Sequence, residues 1–338
     1  MRKIPFTSAI KLIARGTSNY RSQKVIALSF ELTHSCTSKC IHCDKGGMKK
    51  ETGLMRPEDY REYQQTLRPM LVQLSGGEPL LRKDIVEIAR AVKETNGVPY
   101  LIVVTNARLL TEEIYRELKM VGVDQFSISL DFPDERHDAF RQSPGLYRHL
   151  LKIVPKLTSL GQDDIVLNTA ITRDNFGSLL DIYKNALEWN ANVSFSAYTP
   201  LRTGSMDHFI SDPDDLAVLR ETITELIRLK QRGGRIVNSV WTLSGTYEYF
   251  KNGGYMPGCN AGKRFLVVQP DGTLLPCSMR LERTFSSQEE ILQEFTSTNA
   301  CGACYVAIRA YLDENYWTLL RDNVSQRVFR KAGIKEAC

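Results

Sequence analysis

Three cysteines fall within eight residues, in the stretch Cys36-Thr-Ser-Lys-Cys40-Ile-His-Cys43. Thiolates this close in sequence can converge on metal. Three of them suit three irons of a cubane iron–sulfur cluster, leaving the fourth iron open to an exchangeable ligand. A structural zinc site normally closes its tetrahedron with four protein ligands. The three-plus-open set therefore points to reactive iron–sulfur, with zinc as the alternative that spacing alone leaves open. Four more cysteines come late, at Cys259, Cys277, Cys301 and Cys304, and Cys338 is the final residue. From ligand chemistry alone, those four fit zinc and iron–sulfur equally well. Ser75-Gly76-Gly77-Glu78-Pro79 adds glycines that let backbone approach a ligand and a carboxylate able to pair with an ammonium. By itself that motif is also an ordinary Gly-Pro turn.

These groups need a frame, and the apolar patterning supplies one. Short apolar runs lie at 25–32, 71–74, 100–104, 125–130, 165–171 and 192–196, with helical patterns at 57–67, 83–95, 111–120, 146–160 and 178–190 between them. The alternation predicts six parallel strands joined by helices, with chemistry at the strands' C-terminal ends. The three-cysteine loop directly follows the first run, and the Gly-Gly-Glu-Pro turn follows the second. Asp212-Pro213 reads as an N-cap and first-turn proline, opening a helix that Gly233-Gly234 ends. From Trp241 the pattern changes to aromatics, glycines and the late cysteines. The expected organisation is a basic N-terminal segment (1–24), a core (25–200), a linker helix region (201–240) and a second small domain (241–338).

Composition narrows the class. With 338 residues, 42% hydrophobic and 25% charged, the chain is an ordinary globular one that can bury a sizeable core. It contains no membrane-spanning apolar run, and Lys11 and Arg15 interrupt the N-terminal apolar stretch where a secretory signal would be uncharged. A cytoplasmic location follows, and closely spaced cysteines there mean metal more often than disulfides. Residues 1–30 carry six basic side chains and no acid, while the whole chain is only +5. The near-neutral remainder argues against a nucleic-acid binder. Phe6, Ile10 and Ile13 share one helical face with Lys3, Lys11 and Arg15 near it. That segment reads as a helix docked on the body, or as a weak contact with an anionic membrane surface.

Taken in order, these motifs resemble the radical S-adenosylmethionine (SAM) superfamily over residues 26–200. The resemblance implies an α/β fold, a partial (β/α)6 TIM-type barrel. It implies that Cys36, Cys40 and Cys43 hold a [4Fe–4S] cluster whose open iron takes SAM, and that Gly76, Gly77 and Glu78 bind the methionine amino group. Thr105-Asn106 looks like the third-strand motif, with Ala107 where glycine is frequent. Ser127-Ile-Ser129-Leu-Asp131 looks like the fourth, with Phe132 where glycine is usual. Ser129 matches a residue that contacts the SAM ribose or carboxylate, Arg141 one that pairs with the SAM carboxylate, and His42 one that touches adenine. Asn168 and Thr172 bracket the fifth strand on the expected adenine side.

The late pattern C-x12-G-x4-C plus C-x2-C resembles the Twitch domain, the shortened form of the SPASM extension, a small α+β unit. That resemblance assigns Cys259, Cys277, Cys301 and Cys304 to one auxiliary [4Fe–4S] cluster and leaves Cys338 a free thiol. The implied activity is reductive cleavage of SAM to a 5′-deoxyadenosyl radical, which abstracts hydrogen from a substrate or adds to it. An electron donor such as flavodoxin or ferredoxin is implied. A small metabolite or lipid-like substrate leads, because peptide maturases of this group often carry an added N-terminal recognition domain. A ribosomal peptide maturase is the alternative; a non-catalytic zinc module leaves the Gly-Gly-Glu-Pro turn unexplained. Tyr198, Arg202, Tyr247, Tyr249 and Arg264 fall where a pocket can form, although ordinary packing or surface accounts for each.

Overall fold

Six strands run parallel in the order of the chain: β1 (Ala27–Glu31), β2 (Leu71–Ser75), β3 (Tyr100–Thr105), β4 (Gln125–Ser129), β5 (Ile165–Ile171) and β6 (Asn192–Ala197). This is a computed structural model describing residues 5–93 and 97–318. The helices that pack on this sheet are α1 (Phe6–Arg21), α2 (Pro57–Leu67), α3 (Ile85–Val92), α4 (Glu112–Met120), α5 (Arg136–Arg141), α6 (Leu146–Thr158) and α7 (Leu179–Glu188). They are followed by α8 (Pro213–Gln231) and α9 (Val240–Lys251). Asp212 caps α8 as the sequence predicts, its carboxylate accepting from the Asp214 and Asp215 amides. The short helix α5 was not expected; its last residue, Arg141, becomes important at the site. Cys338 lies outside the described residues.

The two faces of the sheet differ in chemistry, and the difference builds the site. Leu28, Phe30, Val72, Leu74, Val103, Phe126 and Phe195 belong to the main buried core. Buried parallel strands usually read as continuous apolar runs because helices cover both faces. Here alternate positions on the other face are polar: in-register Ser29 and Gln73, Glu31 and Ser75, Ser129 and Asn168, and Asn168 and Ser194. The hydroxyls of Ser29 and Ser75 lie 2.9 Å apart across that face. No helix covers the inside of a partial barrel, so hydroxyl and amide side chains line it.

The late segment is joined to the sheet itself. Strand β7 (Phe265–Val268) pairs parallel with β1, and β8 (Leu274–Leu275) returns antiparallel to β7. The sheet order is β6-β5-β4-β3-β2-β1-β7-β8. Beyond β8 come α10 (Gln288–Glu294) and α11 (Ala307–Asp313). This segment then reaches the opposite edge: the Ala307 amide donates to Ser196 Oγ on β6 at 3.0 Å, and Thr199 Oγ1 donates to the Ala303 carbonyl at 3.0 Å. It spans the gap between the sheet's two edges and closes the open side of the barrel.

Helix α1 docks as a helix, but through an unexpected face. Leu12, Gly16 and Asn19 are buried, with Asn19 Nδ2 donating to the Val25 and Arg68 carbonyls. A Cβ on Gly16 would sit 2.5 Å from Met70 Sδ and 2.7 Å from the Tyr316 hydroxyl, so both side-chain ends would have to move. Phe6, Ile10 and Ile13 are instead 79%, 49% and 37% exposed.

Candidate functional site

The loop after β1 is folded on its own backbone and on two neighbours. The Cys36 amide donates to the Gly47 carbonyl at 2.9 Å, and Gly47 returns a bond to Ser38 at 3.1 Å. The Lys39 and Ile41 amides donate to the Arg141 and Phe140 carbonyls at the end of α5. Glu51 ties the start of the loop, accepting from the His34 amide and from the hydroxyls of Thr33 and Ser35. Cys36 is half-buried, Cys40 buried and Cys43 exposed. Burial pushes the Cys40 thiol up to about 11 and raises Cys36 as well. Such thiols ionise on meeting a metal cation, which is how ligand deprotonation couples to metal binding.

The glycines of the β2 turn serve a backbone-on-backbone contact. A Cβ on Gly76 would lie 2.4 Å from the Thr33 carbonyl oxygen, and one on Gly77 would lie 2.0 Å from that of Ser35. Without side chains there, the Gly77 and Glu78 amides donate to those two carbonyls at 2.7 and 2.8 Å. Glu78 is fully buried and satisfied by the chain. Its carboxylate accepts from Thr105 Oγ1 at 2.6 Å, the Asn106 amide at 2.8 Å and the Leu80 amide at 3.1 Å. Burial raises its pKa against those hydrogen bonds. Asn106 carries the connection onward: its Nδ2 donates to Thr37 Oγ1 at 2.9 Å, Ser38 Oγ at 3.3 Å and Cys36 Sγ at 3.6 Å. Ala107 adopts φ +61°, the left-handed region that glycine enters without cost, so alanine here carries strain. Thus Gly76, Gly77, Glu78, Thr105 and Asn106 are brought together against the three-cysteine loop.

A second buried layer lies under β4. Arg141 Nε donates to Asp131 Oδ2 at 2.6 Å, and Asp131 Oδ1 accepts from the Ala170 amide at 3.0 Å. The arginine beside it, with His42 and His137, holds the Asp131 carboxyl below its ordinary range despite burial. His137 Nδ1 accepts from the Asp131 amide at 3.1 Å, and burial lowers this histidine to about 4. His42 is likewise lowered to about 4 by burial. Its ring stacks on Phe140 with centroids 4.6 Å apart, and its Nδ1 is buried with no hydrogen-bond partner among the described residues. Phe132 packs edge-on to Phe140 and under Arg136, an aromatic anchor where a glycine was expected. Ser129 ends β4 on the polar inner face beside Asn168. Thr172 is fully buried in a turn, its amide donating to Asn175 Oδ1; it lines no open surface.

Glu31 was missed in the sequence and sits at the mouth of the barrel. It is the last residue of β1, pairs with Lys45, and lies 3.4 Å from His34 Nε2. Burial alone would raise its carboxyl, but the His34 hydrogen bond and Lys45 hold it down to about 2. A lone acid at the C-terminal end of an apolar strand was the available signal. Arg202, after β6, donates to Asp44 at 2.9 and 2.7 Å and also to the Ser278 carbonyl. It therefore ties the residue after Cys43 to the residue after Cys277. Tyr198 and Tyr249 are buried packing residues, Tyr247 stacks with Lys251, and Arg264 lies over Tyr20 at the far end of the barrel.

The late cysteines converge. Cys259, Cys277, Cys301 and Cys304 line one mostly apolar cavity together with Arg280 and Phe295. Burial pushes Cys259 up to about 11 and Cys277 to about 12. Two guanidiniums face sulfur: Arg280 Nη2 lies 3.6 Å from Cys301 Sγ, and Arg309 Nη1 lies 3.9 Å from Cys304 Sγ. Among the described residues no three His, Cys, Asp or Glu are set to hold a single ion. A [4Fe–4S] cluster attaches each thiolate to a different iron and asks for no such convergence on one point. The donor chemistry of both cysteine sets, the shared cavity and the unpartnered His42 nitrogen fit iron–sulfur clusters and an adenine-bearing ligand.

Residues 30–185 match the family model described as the Radical SAM superfamily. An AdoMet-dependent heme synthase of Methanosarcina barkeri is 29% identical over an alignment of 271 residues that covers 74% of this chain and 76% of that protein. A probable GTP 3′,8-cyclase of Saccharolobus solfataricus is 25% identical over an alignment of 280 residues that covers 80% of this chain and 88% of the relative. The crystal structure of Streptococcus suis SuiB bound to precursor peptide SuiA shares the fold. Its TM-score is 0.61 at 16% identity, covering 83% of this chain and 66% of that one.

Proposed function

We propose, from the match of residues 30–185 to the Radical SAM superfamily model, that the chain is a radical SAM enzyme that binds SAM and a [4Fe–4S] cluster and generates a 5′-deoxyadenosyl radical to act on a polar small molecule. Cys36, Cys40 and Cys43 are the ligands of the SAM cluster. Cys259, Cys277, Cys301 and Cys304 hold an auxiliary [4Fe–4S] cluster in a Twitch-like segment. The cofactor pair supplies the radical chemistry when bound. The protein's own share is to orient and to exclude water.

One observation carries the site: Glu78 and Asn106 lock the turns after β2 and β3 onto the three-cysteine loop after β1. Preorganisation of this kind holds the reacting groups in place without a reorganisation cost at the moment of reaction. His42, with one ring face on Phe140, presents a neutral imidazole for adenine. Arg141 and the end of β4 with Ser129 provide the polar contacts for the rest of SAM. The inner face of hydroxyl and amide side chains supports a hydrogen-bonding substrate over a lipid-like one, because apolar ligands gain from apolar walls. The named heme synthase and GTP cyclase relatives point to small molecules, while the SuiB fold keeps a peptide maturase as the second reading. A one-electron donor such as flavodoxin or ferredoxin completes the scheme.

Anaerobic reconstitution tests it. The wild type is expected to bind about eight irons, and alanine at Cys36, Cys40 and Cys43 to leave about four while abolishing 5′-deoxyadenosine formation. Alanine at the four late cysteines is expected to leave about four irons with SAM cleavage retained. Deoxyadenosine from the first variant would refute the SAM-site assignment. Four irons and one zinc in the wild type would refute the auxiliary cluster alone.

A further inference from the structure

Arg280 has a feature that the late cysteines by themselves do not explain. Its Nε is buried and has no hydrogen-bond partner among the described residues. A buried guanidinium N–H without an acceptor is costly, so it marks a place for one. The same side chain lines the cavity formed by Cys259, Cys277, Cys301 and Cys304. Its Nη2 already lies 3.6 Å from Cys301 Sγ, whereas Nη1 turns outward to Glu282 at 3.3 Å. One guanidinium thus sets Nη2 on a cysteine sulfur, leaves Nε buried without an acceptor in a residue that lines the same cavity, and turns Nη1 to Glu282.

Resting on the auxiliary-cluster reading above, we infer that Arg280 is a positioning residue that raises the reduction potential of the late cluster. The physical basis is charge. A cubane held by four thiolates becomes more negative on reduction, so a fixed cation and hydrogen bonds to its sulfurs favour the reduced form. Arginine retains its charge throughout the working range and presents its donors in a rigid fork. Arg309 contributes differently. It is fully buried and spends its donors on Asp313 and on the Cys304, Met256 and Pro257 carbonyls, so its primary task is to hold the segment around Cys304. Arg280 makes no such backbone bonds among the described residues, and its substitution leaves that scaffold in place.

The experiment uses the full chain with Cys36, Cys40 and Cys43 changed to alanine, so that the late cluster is the only one present. Iron is counted first, and the cluster is then titrated by EPR against mediators of known potential. Arg280→Gln is expected to shift the reduced-to-oxidised ratio at fixed potential at least tenfold toward oxidised, about 59 mV for a one-electron couple. Arg280→Met is expected to shift it further, and Arg280→Lys to stay near the parent. Four irons retained in all forms with unchanged potentials would overturn the inference while leaving the cluster in place. A parent that binds no iron would overturn the auxiliary-cluster reading and this inference with it. If Arg280→Met fails to load, Gln against Lys still decides, since both keep polar side chains of similar length.

Discussion

Glu78→Gln separates a carboxylate that holds the site together from one that pairs with SAM. The structure gives this residue three donors: Thr105 Oγ1, the Asn106 amide and the Leu80 amide. A glutamine keeps one acceptor oxygen and places an NH2 where the other stood. In its better orientation the oxygen serves Thr105 and Leu80, and the NH2 meets the Asn106 amide, donor against donor. One hydrogen bond to a charged group is lost, worth about 1.5–3 kcal/mol, and a buried N–H is left unpaired at about 1–3 kcal/mol. Together these come to about 2.5–6 kcal/mol. Because Asn106 also holds Thr37, Ser38 and Cys36, the three-cysteine loop loosens with it. The assay is thermal unfolding of the apo-protein alongside iron retention and SAM affinity of the reconstituted protein. The expectation is a Tm lower by roughly 10 °C, with iron and SAM affinity falling together. Glu87→Gln, on the exposed face of α3, is the control and should stay within about 0.5 kcal/mol. A Glu78→Gln protein with wild-type Tm and full iron, but weakened SAM binding, would refute the structural role and restore direct pairing with the ligand.

Three further outcomes follow from particular contacts. Gly77→Ala forces a Cβ to within 2.0 Å of the Ser35 carbonyl oxygen and should cost about 3 kcal/mol or more; a denaturation midpoint equal to wild type would contradict the backbone packing. His137 is held near 4, below its unfolded value of about 6.5, so its contribution is full above pH 6.5 and is lost as pH falls toward 4. Between pH 7.5 and 5.5 that is about 1.3 kcal/mol, and urea unfolding of His137→Gln at the two pH values should show the pH dependence reduced by that amount. The exposed Phe6, Ile10 and Ile13 on basic α1 should bind vesicles containing phosphatidylglycerol, weakly and less in high salt. Serine at all three positions should lower vesicle binding about tenfold in sedimentation, and equal binding by both proteins would remove the lipid contact.

The strand–helix alternation was readable because buried parallel strands and amphipathic helices have different apolar periods. The strand predicted at 192–196, for example, is β6 at Asn192–Ala197. Cysteine spacing likewise marked out two groups of thiols, and the structure gathers the four late ones around one cavity. What the linear order concealed was every relation between segments far apart in the chain. Strand β7 pairs with β1 across more than two hundred residues, so the late cysteines belong to the end of the main sheet. Glu78 looked like a ligand for an ammonium, yet its oxygens meet Thr105 and Asn106, which only the register of β2 beside β3 brings there. Glu31 with Lys45, Arg202 between Asp44 and Ser278, and Arg280 over the late cavity carry no local motif at all. Local sequence determines period, capping and turn chemistry through neighbouring residues. Burial and charge pairing are long-range, and they acquire a sign only when the sheet closes and distant side chains share one low-dielectric space.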